Sequence, residues 1–243
     1  MNLMKKEPTP PSKNVVFDLG FHNGDDTAFY LHKGYKVIAV EADPTLAEDG
    51  MKRFTDAIKS GDLVLLNKAV SNEKGPVDFY INPLHSNLNS LTKEFAESVG
   101  GESRHLQVEA ISLSDLYAQF GVPFYIKVDI EGADPIVAKD LLRLEKPKYV
   151  SFETSRTFYP TIFSALHLAG YTRFQLVNQL NNPTRSGDYK FSNHSSGYFG
   201  EDLPKDKWIP FQDMMSRYIK YTDLRDLDKD ELSLGWLDIH ATF

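Results

Sequence analysis

Cysteine is absent from the 243-residue chain, which excludes disulfides, thiolate metal sites and cysteine nucleophiles. The same absence fits a reduced compartment, so a cytoplasmic location is expected. Positive charge is in deficit: 27 Lys+Arg against 34 Asp+Glu give a formal net charge of −7. A uniformly basic face for nucleic acid is therefore not expected. No apolar run approaches the roughly 18 residues of a membrane-spanning helix, so no membrane partner is expected either. Residues 1–13 carry Lys5, Lys6 and three prolines but no apolar stretch, and read as a flexible leader, not a signal peptide. The seven histidines show no metal-ligand pattern, and no metal site is assigned from them.

What is present is alternation. Residues 14–243 read as one domain in which β-rich runs alternate with helical segments, the pattern of a parallel sheet covered by helices. The expected strands are Asn14–Asp18, Tyr35–Glu41, Leu63–Val70, Phe124–Asp129, Tyr149–Glu153, Arg173–Asn178 and Trp236–Phe243. The expected helices are Asp25–Lys33, Pro44–Ser60, Leu113–Phe120, Pro135–Leu144 and Thr161–Ala169. Several strands are continuous apolar runs, as in strands buried on both faces. The fold class is therefore α/β: a doubly wound, mostly parallel, seven-stranded Rossmann-like sheet with one antiparallel strand near its edge. Two segments break the rhythm. Tyr80–Ser90 (YINPLHSNLNS) is polar and rich in Asn. Asn181–Lys207 is long and irregular but carries Tyr189, Phe191, Tyr198 and Phe199, so it is expected to form a substrate lid.

The first strand runs into VVFDLGFHNGDDT. Dinucleotide enzymes place G-x-G-x-x-G here and rest a diphosphate on the helix N-terminus. This chain has no such glycines, and Asp18, Asp25 and Asp26 would repel phosphate. A cationic or zwitterionic ligand fits better, and the D-x-G-x-x-x-G spacing of Asp18, Gly20 and Gly24 is that of S-adenosyl-L-methionine sites. Glu41 ends the apolar second strand, where a carboxylate can accept hydrogen bonds from both ribose hydroxyls of a nucleoside.

The fourth strand, FYIKVDIEGAD, puts Tyr125, Lys127, Asp129 and Glu131 in one phase of a period of two. Asp18, Glu41, Asp129 and Glu153 would then gather at one sheet edge. A close Asp129–Glu131 pair could raise one pKa and make a base, or ligate a metal. An ion pair between Lys127 and Asp129 is the structural alternative. His194, in the polar stretch NHSSGYFGED, is a further candidate base.

Together these stretches resemble the FkbM-type family of class I S-adenosylmethionine-dependent methyltransferases. The matching segments are VFDLGFHNGDDT, VIAVEADP, LNKAVSNEKG, ISLSDLY, YIKVDIEGAD and YVSFE. The resemblance implies Asp18, Gly20 and Gly24 around the methionine portion of the cofactor, Glu41 on its ribose and Asp129 near the reacting edge. His22, Asn23 and Thr27 in the first loop and helix, with Ala42 and Ala69 at neighbouring strand ends, complete the candidate cofactor contacts. His22 stands where the family commonly has Asn, after Phe21 where a small residue is usual. The implied activity is O-methylation of a hydroxyl on a sugar or other small natural product, with Asp129, Glu131 and His194 as candidate bases. Two other readings stay open at this point: a non-catalytic cofactor-binding protein and a nucleotide-dependent oxidoreductase.

Overall fold

The computed structural model describes residues 12–184, 187–193, 195–227 and 235–243. Most of the expected leader, residues 1–11, lies outside these. Ser12 and Lys13 already belong to the first strand, β1 (Ser12–Leu19), where Ser12 pairs with Pro123. The chain continues through α1 (Asp25–His32), β2 (Lys36–Glu41), α2 (Pro44–Arg53), α3 (Thr55–Ser60), β3 (Leu63–Asn67), β4 (Ala69–Val70) and β5 (Pro76–Ile81). After α4 (Lys93–Ala96) come β6 (Arg104–Ile111), α5 (Leu113–Phe120), β7 (Pro123–Val128), α6 (Asp134–Asp140) and β8 (Tyr149–Glu153). The last elements are α7 (Tyr159–Leu168), β9 (Arg173–Asn178), α8 (Phe211–Leu227) and β10 (Leu237–Thr242).

Seven strands form the main sheet in the order β3-β2-β1-β7-β8-β10-β9. The pairs from β3 to β8 are parallel, and β10 runs antiparallel between β8 and β9. β7 is buried along its whole length and β2 after its first residue, as expected of apolar runs covered on both faces. The phase of β1 divides the two layers. Phe17 and Leu19 pack with Ile126, Leu116 of α5, Val137 of α6 and Phe163 of α7. Val16 points the other way, toward Phe29 and Tyr30 of α1. Asp18 shares the phase of Val16, and this decides its surroundings.

Three features depart from the sequence expectation. The helix expected over Pro44–Ser60 breaks at Phe54 (φ −107°, ψ 25°), whose ring packs edge-on against Phe21 at 5.8 Å. The strand expected over Leu63–Val70 divides after Asn67, and β4 joins β6 and β5 in a separate three-stranded sheet. That sheet buries Ala69, Val77, Phe79 and Val108. Finally, α8 covers the β9 side of the main sheet through Met214 and Tyr218.

Candidate active site

The carboxyl ends of β2, β1, β7 and β8 lie side by side and border a cavity of about 520 Å³. Parallel sheets bind their ligands at this edge. The turn leaving β1 is pinned to its neighbour, because the Gly20 and Phe21 N–H groups both donate to the Val40 carbonyl at 3.1 Å. Gly20 has φ +91°, and a Cβ there would fall 1.7 Å from the Asp129 carbonyl oxygen. The approach of the β1 and β7 turns therefore demands glycine. His22 follows with φ 49°, and its N–H donates to Glu41 Oε2 at 2.7 Å. The other Glu41 oxygen accepts from Asp43 N–H at 2.8 Å. Burial pushes the Glu41 carboxyl up to about 7, against those two hydrogen bonds.

Gly20, His22, Asn23, Glu41, Ala42 and Ala69 line the cavity, as do Asp129 and Glu131. Asp18, Gly24 and Thr27 lie behind its wall. Asp18 is fully buried and accepts the Thr27 hydroxyl at 2.6 Å, so its carboxylate braces α1 against β1. A Cβ at Gly24 would meet the rings of Phe21 and Phe54 at 2.5 and 2.6 Å, which makes that glycine a packing requirement. His194 lies outside the described residues.

Lys127 is the electrostatic centre of the floor. Its Nζ lies 3.6 Å from Asp18, 3.4 Å from Asp26 and 3.2 Å from Asp129, and it donates to the Gly20 carbonyl at 2.9 Å. Burial works against its charge, but Asp129, Asp18 and Asp26 hold it firmly protonated. Burial likewise raises Asp18 to about 6, with Lys127 opposing. The expected Lys127–Asp129 pair is thus present, within a wider group that joins β1, α1 and β7.

Beyond this floor, one carboxylate oxygen each from Asp129, Glu131 and Glu153 lies within 4.8 Å of the others. Such a group relieves its repulsion with protons or a cation. Burial, then Asp129 and Asp134, push Glu131 up to about 9. Burial, then Asp129 and Glu131, raise Glu153 well above the usual carboxylate range. The half-exposed Trp236, just before β10, and Phe95 stand beside these acids in the cavity wall.

The irregular segment Tyr80–Ser90 contributes to the cavity wall. A backbone bridge between Tyr80 and Ser90 closes it into a loop, and the Asn89 side chain ties it to Asp43 at 2.9 Å. Ser90 Oγ donates to the Glu131 carbonyl at 2.7 Å, and Ser86 Oγ lies 3.0 Å from His22 Nε2. Ser86–Asn89 line the cavity, a role the sequence signalled only through its run of Asn residues.

The second irregular segment sits elsewhere. Among the described residues, none of Asn181–Lys207 lines the cavity. Its aromatic side chains are spent on packing: Phe191 lies 4.8 Å from Phe29, and Phe199 stacks on Tyr125 at 4.0 Å. The segment touches the site from behind, where Ser192 Oγ and Ser196 N–H donate to Asp25 and Asp26.

A sequence model of the methyltransferase FkbM domain matches residues 18–173. The chain belongs to the FkbM methyltransferase family. The match covers the strands that build the cavity from β2 to β8. S-adenosylmethionine is the cofactor, and an acidic cleft without a phosphate-binding turn agrees with that cationic ligand. Precorrin-6y C5,15-methyltransferase from Geobacter metallireducens is similar at 11% identity and TM-score 0.43, over 95% of this chain and 80% of that one. A Bacillus cereus O-methyltransferase in complex with SAH is similar at 9% identity and TM-score 0.41, over 95% and 74%. A SAM-dependent O-methyltransferase from Thermotoga maritima is similar at 9% identity and TM-score 0.44, over 96% of this chain and 60% of that one. No curated protein sequence matches the chain. Among the described residues, no helix is long and apolar enough to cross a membrane.

Proposed function

We propose that this chain methylates a hydroxyl group of a sugar or other small natural product, with S-adenosylmethionine as the methyl donor. Bound in the cleft, the cofactor supplies a methyl already activated on a sulfonium. The protein's task is then to hold the acceptor in line, exclude water and take up a proton.

Glu41 is suited to the ribose, because each of its oxygens keeps a lone pair after accepting one backbone N–H. Gly20, His22 and Asn23 would back the methionine portion, with Ala42 and Ala69 as smooth walls at the neighbouring strand ends. Asp18, Gly24 and Thr27 act at one remove, fixing the loop that presents these groups.

The observation that carries a hydroxyl acceptor is the carboxylate group of Asp129, Glu131 and Glu153 at the far end of the cleft. A neutral alcohol is a poor nucleophile and gains from a nearby base, whereas a thiolate or a free amine needs none. Trp236 and Phe95 offer flat apolar faces beside those acids, the combination that suits a polyhydroxylated ring.

The test is methyl transfer from radiolabelled S-adenosylmethionine to a panel of glycosides, cyclic alcohols, amines and thiols, with products located by mass spectrometry. Label on oxygen supports the reading. Label only on nitrogen or sulfur overturns it, and tight cofactor binding without transfer to any acceptor would mark a non-catalytic binding protein.

A further inference from the structure

Two of the three clustered carboxylates are already engaged. Asp129 pairs with Lys127 at 3.2 Å, and Glu153 shares a hydrogen bond with Asp129. The Glu131 side chain has no hydrogen-bond or ion-pair partner among the described residues, and it lines the cavity. All three acids line the cavity, and among the described residues Glu131 alone brings an uncommitted carboxylate to it.

The backbone beneath it is unusual. Glu131 has φ 47°, a left-handed conformation that residues with side chains rarely adopt. Such a conformation persists where its surroundings over-determine it, and it is enriched at functional sites. Three contacts do so here. Ser90 Oγ donates to the Glu131 carbonyl at 2.7 Å, and the Asp134 carboxylate accepts the N–H groups on either side, from Ile130 at 3.2 Å and Gly132 at 3.1 Å. Ser90 is itself buried and paired through its backbone with Tyr80. Its chain neighbour Asn89 donates to Asp43, next to Glu41. One strap therefore runs from the ribose side of the cleft to Glu131.

We propose that Glu131 is the proton acceptor in methyl transfer and that Ser90 is a positioning residue that holds it in the cleft. This rests on the O-methylation reading above. Glu131 takes the acceptor's hydroxyl proton while the oxygen–carbon bond forms and the carbon–sulfur bond breaks, its electron pair remaining on sulfur. The protonated Glu131 then returns its proton to water. Asp129, the residue that its place at the strand end first suggests, is instead paired with Lys127 at 3.2 Å. Burial beside Asp129 and Asp134 gives Glu131 a high proton affinity, and a cation bound in the cleft favours its ionised form.

The experiment combines side-chain carboxyl NMR of protein labelled with ¹³C-glutamate, calorimetry with S-adenosylhomocysteine, and methyl transfer to the best acceptor of the panel. It compares the wild type with Glu131→Gln, Ser90→Ala and Ser90→Thr. The Glu131 resonance, assigned by its loss in Glu131→Gln, should titrate well above the ordinary glutamate range. Ser90→Ala should return it by at least about one pH unit toward that range, and Ser90→Thr should restore it. S-adenosylhomocysteine affinity should stay within about threefold in every variant, while turnover falls about 10²–10⁴-fold in Glu131→Gln. In Ser90→Ala it should fall about tenfold with the KM for S-adenosylmethionine unchanged. An ordinary titration of Glu131, a Ser90→Ala resonance identical to wild type, or full turnover by Glu131→Gln would overturn the assignment. Failure of S-adenosylhomocysteine to bind the wild type would overturn the function itself, and this assignment with it.

Discussion

Replacing Lys127 with Met keeps the length of the side chain and removes the one cation among Asp18, Asp26 and Asp129. Lys127 and the first two acids are almost wholly buried, and Asp129 is about 30% exposed. Removing one partner from a buried ionic group typically costs about 3–5 kcal/mol. For a chain of this size that corresponds to a fall in melting temperature of roughly 6–20 °C. The loss should depend on pH in a definite direction. Burial already lifts Asp18 to about 6, and burial also lifts Asp26. Without Lys127 both carboxyls rise further above their unfolded values. A group with a raised folded pKa adds stability that is present below its unfolded pKa and lost as pH rises through the folded one. Lys127→Met should therefore lose most at pH 8 and less than half as much at pH 5, where the acids can take up protons. Urea melts of both proteins at the two pH values provide the measurement. A loss of the same size at pH 5 and pH 8, or no loss at either, would refute the view that Lys127 neutralises this floor.

Three further outcomes are expected. Glu41→Ala should weaken S-adenosylmethionine binding by about 1–3 kcal/mol in calorimetry, the scale of lost charge-assisted hydrogen bonds, and unchanged affinity in a folded variant would remove Glu41 from the cofactor site. Gly20→Ala would set a methyl 1.7 Å from a backbone oxygen at φ +91°, so it should destabilise by about 2–4 kcal/mol in chemical denaturation; a neutral result would show that the turn can relax. In the cofactor-free wild type, Glu41 (about 7) and Glu131 (about 9) stand above their ordinary 4.5. Scanning calorimetry should accordingly show the melting temperature falling between pH 5 and pH 9, and a rise over that interval would contradict the burial of these acids.

The main sheet was legible because its strands are apolar runs that must be covered on both faces. Tyr149–Glu153 and Arg173–Asn178 were read to the residue. The sheet of β4, β6 and β5 was not legible. Its strands alternate buried positions with polar ones such as Asp78, Gln107 and Glu109, and two of those, Asp78 and Gln107, bond each other across the pair. At the site, spacing found the turn after β1 and the end of β2, but it could not tell which side of a strand each acid faces. Asp18 shares the phase of Val16 and so turns toward α1, away from the cleft. Beyond Asp129, the partners of Lys127 come from a neighbouring strand and a helix, which only the fold brings together. The aromatics of Asn181–Lys207 show only as rings in the sequence; their packing on α1, where Phe29 meets several of them, needs the fold.

The edge formed by β2, β1, β7 and β8 is proposed as the methyl-transfer site, with its ribose end at Glu41 and its reacting end at Glu131. A crystal structure with S-adenosylhomocysteine is the decisive measurement. Both ribose hydroxyls should lie at hydrogen-bond distance, about 2.7 Å, from the Glu41 carboxylate. The sulfur should face the group of Asp129, Glu131 and Glu153. A ligand seated with its ribose away from Glu41, or with its sulfur turned from those acids, would contradict this proposal.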